Sequence, residues 1–292
     1  MIKQLTIFGV GLIGGSLALA LRKNGFCQKV VGCSRNAEQL QRAVDLNVID
    51  EFTLDPAAAV KHADMVLLAV PLGAMESVLA SMVDHLPPNV VVTDAGSSKA
   101  SVVAAAQKVF GQVPDFFIPA HPIAGREKSG VEAALAELYV NHKVILTPLE
   151  NASPDAIRRV TEMWQACGAE VQSLGVAQHD LVLAATSHLP HVLAYSLVDT
   201  LSQTDYVDEI FQFAAGGFRD VSRTASSDPV MWRDICLENR DGILDVLESF
   251  ESNLAGLRTA IESGDGTRLL DIFTHAKTIR DNNVLKHLAK PE

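Results

Sequence analysis

Residues 5–21 read LTIFGVGLIGGSLALAL, an apolar run preceded by Lys3 and closed by Arg22 and Lys23. A positive start ahead of an apolar stretch is shared with a secretory leader, but no small-residue cleavage site follows. Its 17 residues also fall short of the roughly 20 that span a bilayer as a helix. The glycines decide the reading. Within a helix, Gly9, Gly11, Gly14 and Gly15 would each cost about 1 kcal/mol relative to alanine. A strand (LTIF), a tight turn (GVGLIGG) and a helix (SLALALRKNG) closing at Gly25 use them instead. The spacing is G-x-G-x-x-G, in which the glycines permit a tight turn, close approach of backbone to pyrophosphate, and helix packing on strand. The phosphates then sit at the helix N-terminus, where unpaired N–H groups and the dipole favour negative charge. Gly9, Gly11, Leu12, Ile13 and Gly14 are therefore expected to hold a dinucleotide, together with Val70 and Pro71 where a later strand ends.

The rest of the chain agrees. From the start to residue 175, short apolar runs (KVVGCS, DMVLLAVP, NVVVTDAG, FFIPAHP, HKVILTP, AEVQSL) alternate with helical stretches such as AEQLQRAVDL and GAMESVLASMVDHL. That alternation predicts a Rossmann-type, doubly wound α/β sheet covered on both faces. After LGVAQHD the strand signal stops, so residues 1–175 are expected to form the nucleotide-binding domain and 176–292 an all-helical one. Ile243, Leu247, Phe250, Leu254, Leu257 and Ile261 recur at alternating spacings of four and three. Such a stripe is core or a helical interface, and a homodimer built from it is one reading.

With 292 residues, 48% of them hydrophobic, the chain can bury a substantial core. Its formal charge of −11 and the lack of a basic run argue against a nucleic-acid partner. Beyond the first segment, no apolar run reads as a membrane span. Cys27, Cys33, Cys167 and Cys236 fit no zinc spacing and read as reduced thiols of a cytoplasmic protein.

Cofactor choice turns on the end of the second strand, where an acidic residue would accept from the ribose 2′-hydroxyl of NAD. Here Ser34 and Arg35 stand in GCSRN, without a carboxylate. A hydroxyl beside a guanidinium suits the 2′-phosphate, which favours NADP over NAD. Alternatively, Arg35 is a solvated turn residue stacking on adenine, compatible with either.

Three later segments carry chemistry. In TDAGSSK, a strand ends in Ser97 and Ser98 ahead of a helix, an ordinary start in which serine caps the first N–H groups. HPIAGREKSG brings His121 out of an apolar strand beside a polar glycine-rich loop, where an imidazole can take a hydroxyl proton as hydride leaves the same carbon. SHLPH sets His188 and His191 around Pro190, which kinks or starts a helix. No third ligand accompanies them, so no metal site is expected. In GFRDVSR, Arg219 and Arg223 share a face if the segment is helical, and face either solvent or an anion.

Together these motifs resemble the prephenate and arogenate (cyclohexadienyl) dehydrogenases of tyrosine biosynthesis, from GVGLIGGS through TDAGSSK, HPIAGREKSG and SHLPH to GFRDVSR and DPVMW. The resemblance implies an NAD(P)-binding domain joined to a helical dimerisation domain, with a small-molecule substrate oxidised and decarboxylated in between. It implies that His121 is the catalytic base, and that Ser97 hydrogen-bonds the ring hydroxyl or orients the histidine. Arg223 would bind a substrate carboxylate, and His191 would line the pocket with Glu127, Ser227 and Trp232 as gating or binding residues. His188 and Arg219 are further candidates. Some family members carry an added mutase or regulatory domain, for which 292 residues leave no room. Feedback by tyrosine would then act at or near the active site.

Two other readings use the same glycine motif. A 3-hydroxyacid-type dehydrogenase would need a lysine base on the first long helix after the nucleotide domain, and residues 176–202 contain no lysine. A non-catalytic NAD(P) sensor has no need of the serine, histidine and arginine set.

Overall fold

A computed structural model describes residues 1–126 and 128–285. Two compact units emerge, Met1–Ile243 and Leu244–Glu292. In the first unit, the strands are β1 (Ile2–Phe8), β2 (Cys27–Cys33), β3 (Glu51–Thr53), β4 (Met65–Leu68), β5 (Val91–Asp94), β6 (Phe117–Ile118), β7 (Ala120–Pro122), β8 (Lys143–Leu146) and β9 (Glu170–Ser173). The helices between them are α1 (Leu12–Lys23), α2 (Ala37–Asp45), α3 (Pro56–Val60), α4 (Met75–Met82), α5 (Ala100–Phe110) and α6 (Pro154–Ala166). They are followed by α7 (Val176–Leu183), α8 (Leu189–Ser202), α9 (Val207–Gln212), α10 (Gly216–Ser222) and α11 (Pro229–Glu238). Helix α12 (Arg240–Glu262) runs on into the second unit, which also holds α13 (Gly266–Ile279).

Six strands pair in parallel in the order β3-β2-β1-β4-β5-β6, the strand order of a dinucleotide-binding fold. The strand sequences explain why both faces are covered. Successive side chains point to opposite faces, so Leu5, Ile7, Met65 and Leu67 enter one core while Phe8, Val66 and Leu68 enter another. Fully burying each such side chain contributes about 1.5–3 kcal/mol.

The structure corrects the sequence reading in several places. Pro119 divides FFIPAHP, so β7 leaves the main sheet and pairs antiparallel with β8, which pairs in parallel with β9, in a separate three-stranded sheet. Strand β3 was not expected: it has three residues, starts with an exposed Glu51 and lies at the sheet edge. Helix α1 begins at Leu12, not at Ser16, so Gly14 and Gly15 lie inside it. Contrary to expectation, the helical run Val176–Ser202 is long and apolar enough, by length and composition alone, to cross a membrane. Its apolar residues are interleaved with polar ones, which hid the run from a search for unbroken apolar sequence. Two of those polar residues, His179 and Asp180, bond to residues of β7 and of the start of α5, as described below.

Candidate active site

Two glycines of the first turn are fixed by close approach. Gly9 adopts φ +90°, and a Cβ there would lie 2.3 Å from the Ala69 carbonyl oxygen; one on Gly14 would lie 2.4 Å from the Gly9 oxygen. Gly11 differs, because a Cβ on it would meet nothing within 4 Å. That open position at the start of α1 is the approach a pyrophosphate needs, so the residues present fit a dinucleotide. Gly9 and Gly11 line a cleft of about 470 Å³ with Ser34, Glu38, Gln39, Arg42, Ala69 and Glu132, a size usual for ligand sites. Leu12 and Ile13 are half-buried against the core. Val70 packs beside Gly9, and Pro71 is exposed ahead of a turn at Leu72–Ala74. Ser34 makes a local turn, its hydroxyl accepting from the Asn36 N–H at 3.2 Å. Arg35 is exposed and, among the described residues, is not part of the cleft wall.

His121 is the middle residue of β7, opposite Ile145, and is buried. Its Nδ1 lies 2.9 Å from Nε2 of His179, whose Nδ1 lies 2.7 Å from Oδ1 of Asp180. Asp180 also accepts from the backbone N–H groups of Lys99 (2.7 Å) and Ala100 (2.8 Å) and from the Ser98 hydroxyl (3.3 Å). The start of α5 is thus capped by a carboxylate from α7, not by a serine of its own segment. Burial alone would raise the Asp180 carboxyl, but hydrogen bonds from His179, Lys99 and Ala100 outweigh it and hold the group below its ordinary range.

The ionised carboxylate fixes the proton order along the chain. With Nδ1 of His179 donating to Asp180 and its Nε2 accepting, His121 donates from Nδ1. The Nε2 lone pair of His121 is left to accept a proton. Burial pushes His121 well below the usual imidazole range, with nearby Lys99, His179 and His188 acting in the same direction. It is a neutral base at neutral pH.

The backbone before His121 is clamped by a buried ion pair. Lys99 Nζ bonds to Asp94 and donates to the Ala120 carbonyl at 2.7 Å, and Asp94 Oδ1 accepts from the Ala120 N–H at 3.0 Å. Both side chains have no exposure.

A second cluster collects the later candidates. The His191 ring stacks on Trp232 with centroids 3.7 Å apart and planes 18° apart, while Nδ1 faces the Ser187 carbonyl at 2.8 Å. Burial lowers the His191 pKa; the Ser187 bond opposes this and Arg223 adds to it, which places Arg223 within electrostatic reach. The Trp232 ring nitrogen is buried with no hydrogen-bond partner among the described residues. Ser227 accepts through its carbonyl from the Tyr195 hydroxyl at 2.6 Å. His188 faces Asn239, which also donates to the Asp180 carbonyl; burial takes His188 to about 4. Arg219 is exposed on α10, and Arg223 follows directly on that helix, where it tightens into a 3-10 turn. Pro190 falls in the first turn of α8, after a π turn at Ala184–His188. Ser97 is half-buried, and its hydroxyl bonds to none of the described residues. Glu127 lies outside the described residues.

Sequence reasoning missed Asp94, Lys99, His179, Asp180 and Asn239, and read Ser98 only as a helix cap. Signals existed for four of them: TDAGSSK puts two charges around an apolar strand end, and QHD opens an otherwise apolar helix.

A parallel sheet in this order, an open glycine cradle and a buried neutral histidine define a dinucleotide-dependent oxidoreductase. Comparison with known proteins sharpens that class. Residues 17–173 match the model of the prephenate dehydrogenase nucleotide-binding domain, and 176–275 that of the prephenate dehydrogenase dimerization domain. A cyclohexadienyl dehydrogenase of Zymomonas mobilis is 40% identical over 283 residues, 95% of each chain. The Bacillus subtilis prephenate dehydrogenase is 37% identical over 286 residues, 95% of this chain and 75% of that one. The crystal structure of the Aquifex aeolicus prephenate dehydrogenase, in complex with hydroxyphenyl propionate and NAD+, superposes with a TM-score of 0.89 at 37% identity, covering 96% of this chain and 98% of that one. The chain belongs to the prephenate dehydrogenase family and is an NAD(P)-dependent dehydrogenase.

Proposed function

We infer that the chain catalyses the oxidative decarboxylation of prephenate to 4-hydroxyphenylpyruvate, of arogenate to tyrosine, or of both. The observation that carries this reading is the His121–His179–Asp180 chain, which leaves one histidine nitrogen ready for a substrate hydroxyl. When bound, the nicotinamide accepts the hydride from the ring carbinol carbon. His121 Nε2 takes the hydroxyl proton as that hydride departs. The ring carboxylate leaves as CO2, and the electron pair of the broken C–C bond runs through the ring to the oxygen, which recovers its proton from His121. Aromatisation drives the sequence, so the protein's share is alignment and proton exchange.

Ser97, with a hydroxyl that bonds to none of the described residues, would hydrogen-bond the same ring oxygen. Arg223 supplies a cation for a substrate carboxylate beside His191 and Trp232, with Ser227 and Glu127 as further binding or gating residues and His188 and Arg219 in support. Replacing Arg223 by alanine should raise KM for the ring substrate about tenfold or more, the scale of one charge-assisted contact, with a smaller change in kcat. An unaltered KM removes the assignment.

Ser34 and Arg35, with no carboxylate at the end of β2, support NADP over NAD. We assign residues 1–175 to nucleotide binding and 176–292 to substrate binding and dimerisation. Leu254, Ile261, Leu270 and Phe273 are each more than half exposed on α12 and α13, and such an apolar patch suits a homodimer in the cytoplasm. A monomeric mass in sedimentation would refute that assembly. The deciding experiment is a two-by-two assay of prephenate and arogenate with NAD and NADP. Reduced cofactor in at least one arm, greater with NADP, is expected; binding of cofactor with no turnover in any arm would defeat the catalytic reading.

A further inference from the structure

The segment following β7 returns over the nucleotide helix. Leu135 N–H donates to Ser16 Oγ at 2.9 Å, the Tyr139 hydroxyl donates to the Ile13 carbonyl at 2.6 Å, and Lys23 pairs with Glu137 at 2.7 Å. These ties fix the backbone near Glu132 against α1, and Glu132 lines the same cleft as Gly9, Gly11 and Ser34. Across that cleft Arg42 of α2 places Nε 3.4 Å from Glu132 Oε1.

The charges at this end of the cleft are unbalanced. Glu38 and Glu132 present two carboxylates, and Arg42 is the one guanidinium among the described lining residues. A ribose 2′-hydroxyl can donate to a carboxylate here, whereas a 2′-phosphate would be repelled unless Arg42 turned to meet it. That exchange is cheap: the Arg42 and Glu132 side chains are 52% and 60% exposed, and ion pairs so open to water contribute little. The guanidinium fork suits phosphate better than a single oxygen at 3.4 Å.

We propose that Arg42 reads the 2′ position of the adenosine ribose, and that Glu132 competes with a 2′-phosphate for it. The proposal rests on the cofactor reading above and adds two residues that set its selectivity. Calorimetric titration of the full chain with 2′,5′-ADP and with ADP tests it without turnover. Arg42→Ala should weaken 2′,5′-ADP about tenfold or more and leave ADP within about twofold. Glu132→Gln, which removes the competitor and one negative charge, should tighten 2′,5′-ADP several-fold and again spare ADP. Equal weakening of both ligands by Arg42→Ala, or unchanged 2′,5′-ADP affinity in Glu132→Gln, overturns the proposal. Failure of ADP to bind the unaltered protein overturns the cofactor cleft itself.

Discussion

Replacing His121 by asparagine should lower kcat by about 10²–10⁴-fold, the usual contribution of a positioned base, while KM for the ring substrate and the affinity for cofactor change by no more than a few-fold. Asparagine can still donate toward His179 Nε2, so the buried chain to Asp180 keeps a partner and the loss falls on the transition state. The wild-type pH profile carries a second sign. Burial holds His121 well below the ordinary imidazole range. The base is therefore already unprotonated there, and the acidic limb of kcat/KM should lie below about pH 6.5, the unperturbed value. That limb should vanish from the residual activity of His121→Asn. Turnover within a few-fold of the parent, or an unmoved acidic limb in the variant, would take His121 out of the chemistry.

The dinucleotide half was legible because its signals are local. LTIF and GVGLIGG specify a strand and a turn within a dozen residues, and Gly9 and Gly14 are glycines for contacts a Cβ could not share. Local signals fail where partners are distant in sequence. Nothing near Ser98 announces that its helix is capped by Asp180, 82 positions on. Serine at a helix start is normally its own cap, which is why the segment read as ordinary. The departure of β7 from the main sheet was missed for a related reason: FFIPAHP is apolar except for His121, and only its pairing with β8 reveals that Pro119 divides it. His121 and Arg223 stood out by residue type and loop context, but the tautomer that makes His121 a base depends on His179, 58 residues away. Arg42 and Glu132 are both ordinary surface residues in sequence, and their juxtaposition over the cleft comes from the return of the chain across α1.

The Asp94–Lys99 pair gives the largest expected change in stability. Burial lowers the Lys99 pKa in spite of the attraction of Asp94 and Asp180, so the pair is retained at a solvation cost and is strong only while both members remain. Lys99→Met leaves Asp94 buried with no cation and strips a donor from the Ala120 carbonyl. Breaking such a pair costs about 3–5 kcal/mol, and the melting temperature should fall by roughly 5–10 °C. Adding Asp94→Asn removes the stranded charge but keeps an acceptor for only one of the Gly96 and Ala120 N–H groups, which bond different oxygens of Asp94, so the double variant should recover part of the loss. Its activity should recover less, because Lys99 also anchors the carbonyl that precedes His121. A shift of a few tenths of a degree for Lys99→Met would mean that the charge is solvated after all. Full recovery of kcat along with stability in the double variant would show that the clamp on Ala120 does not place the base.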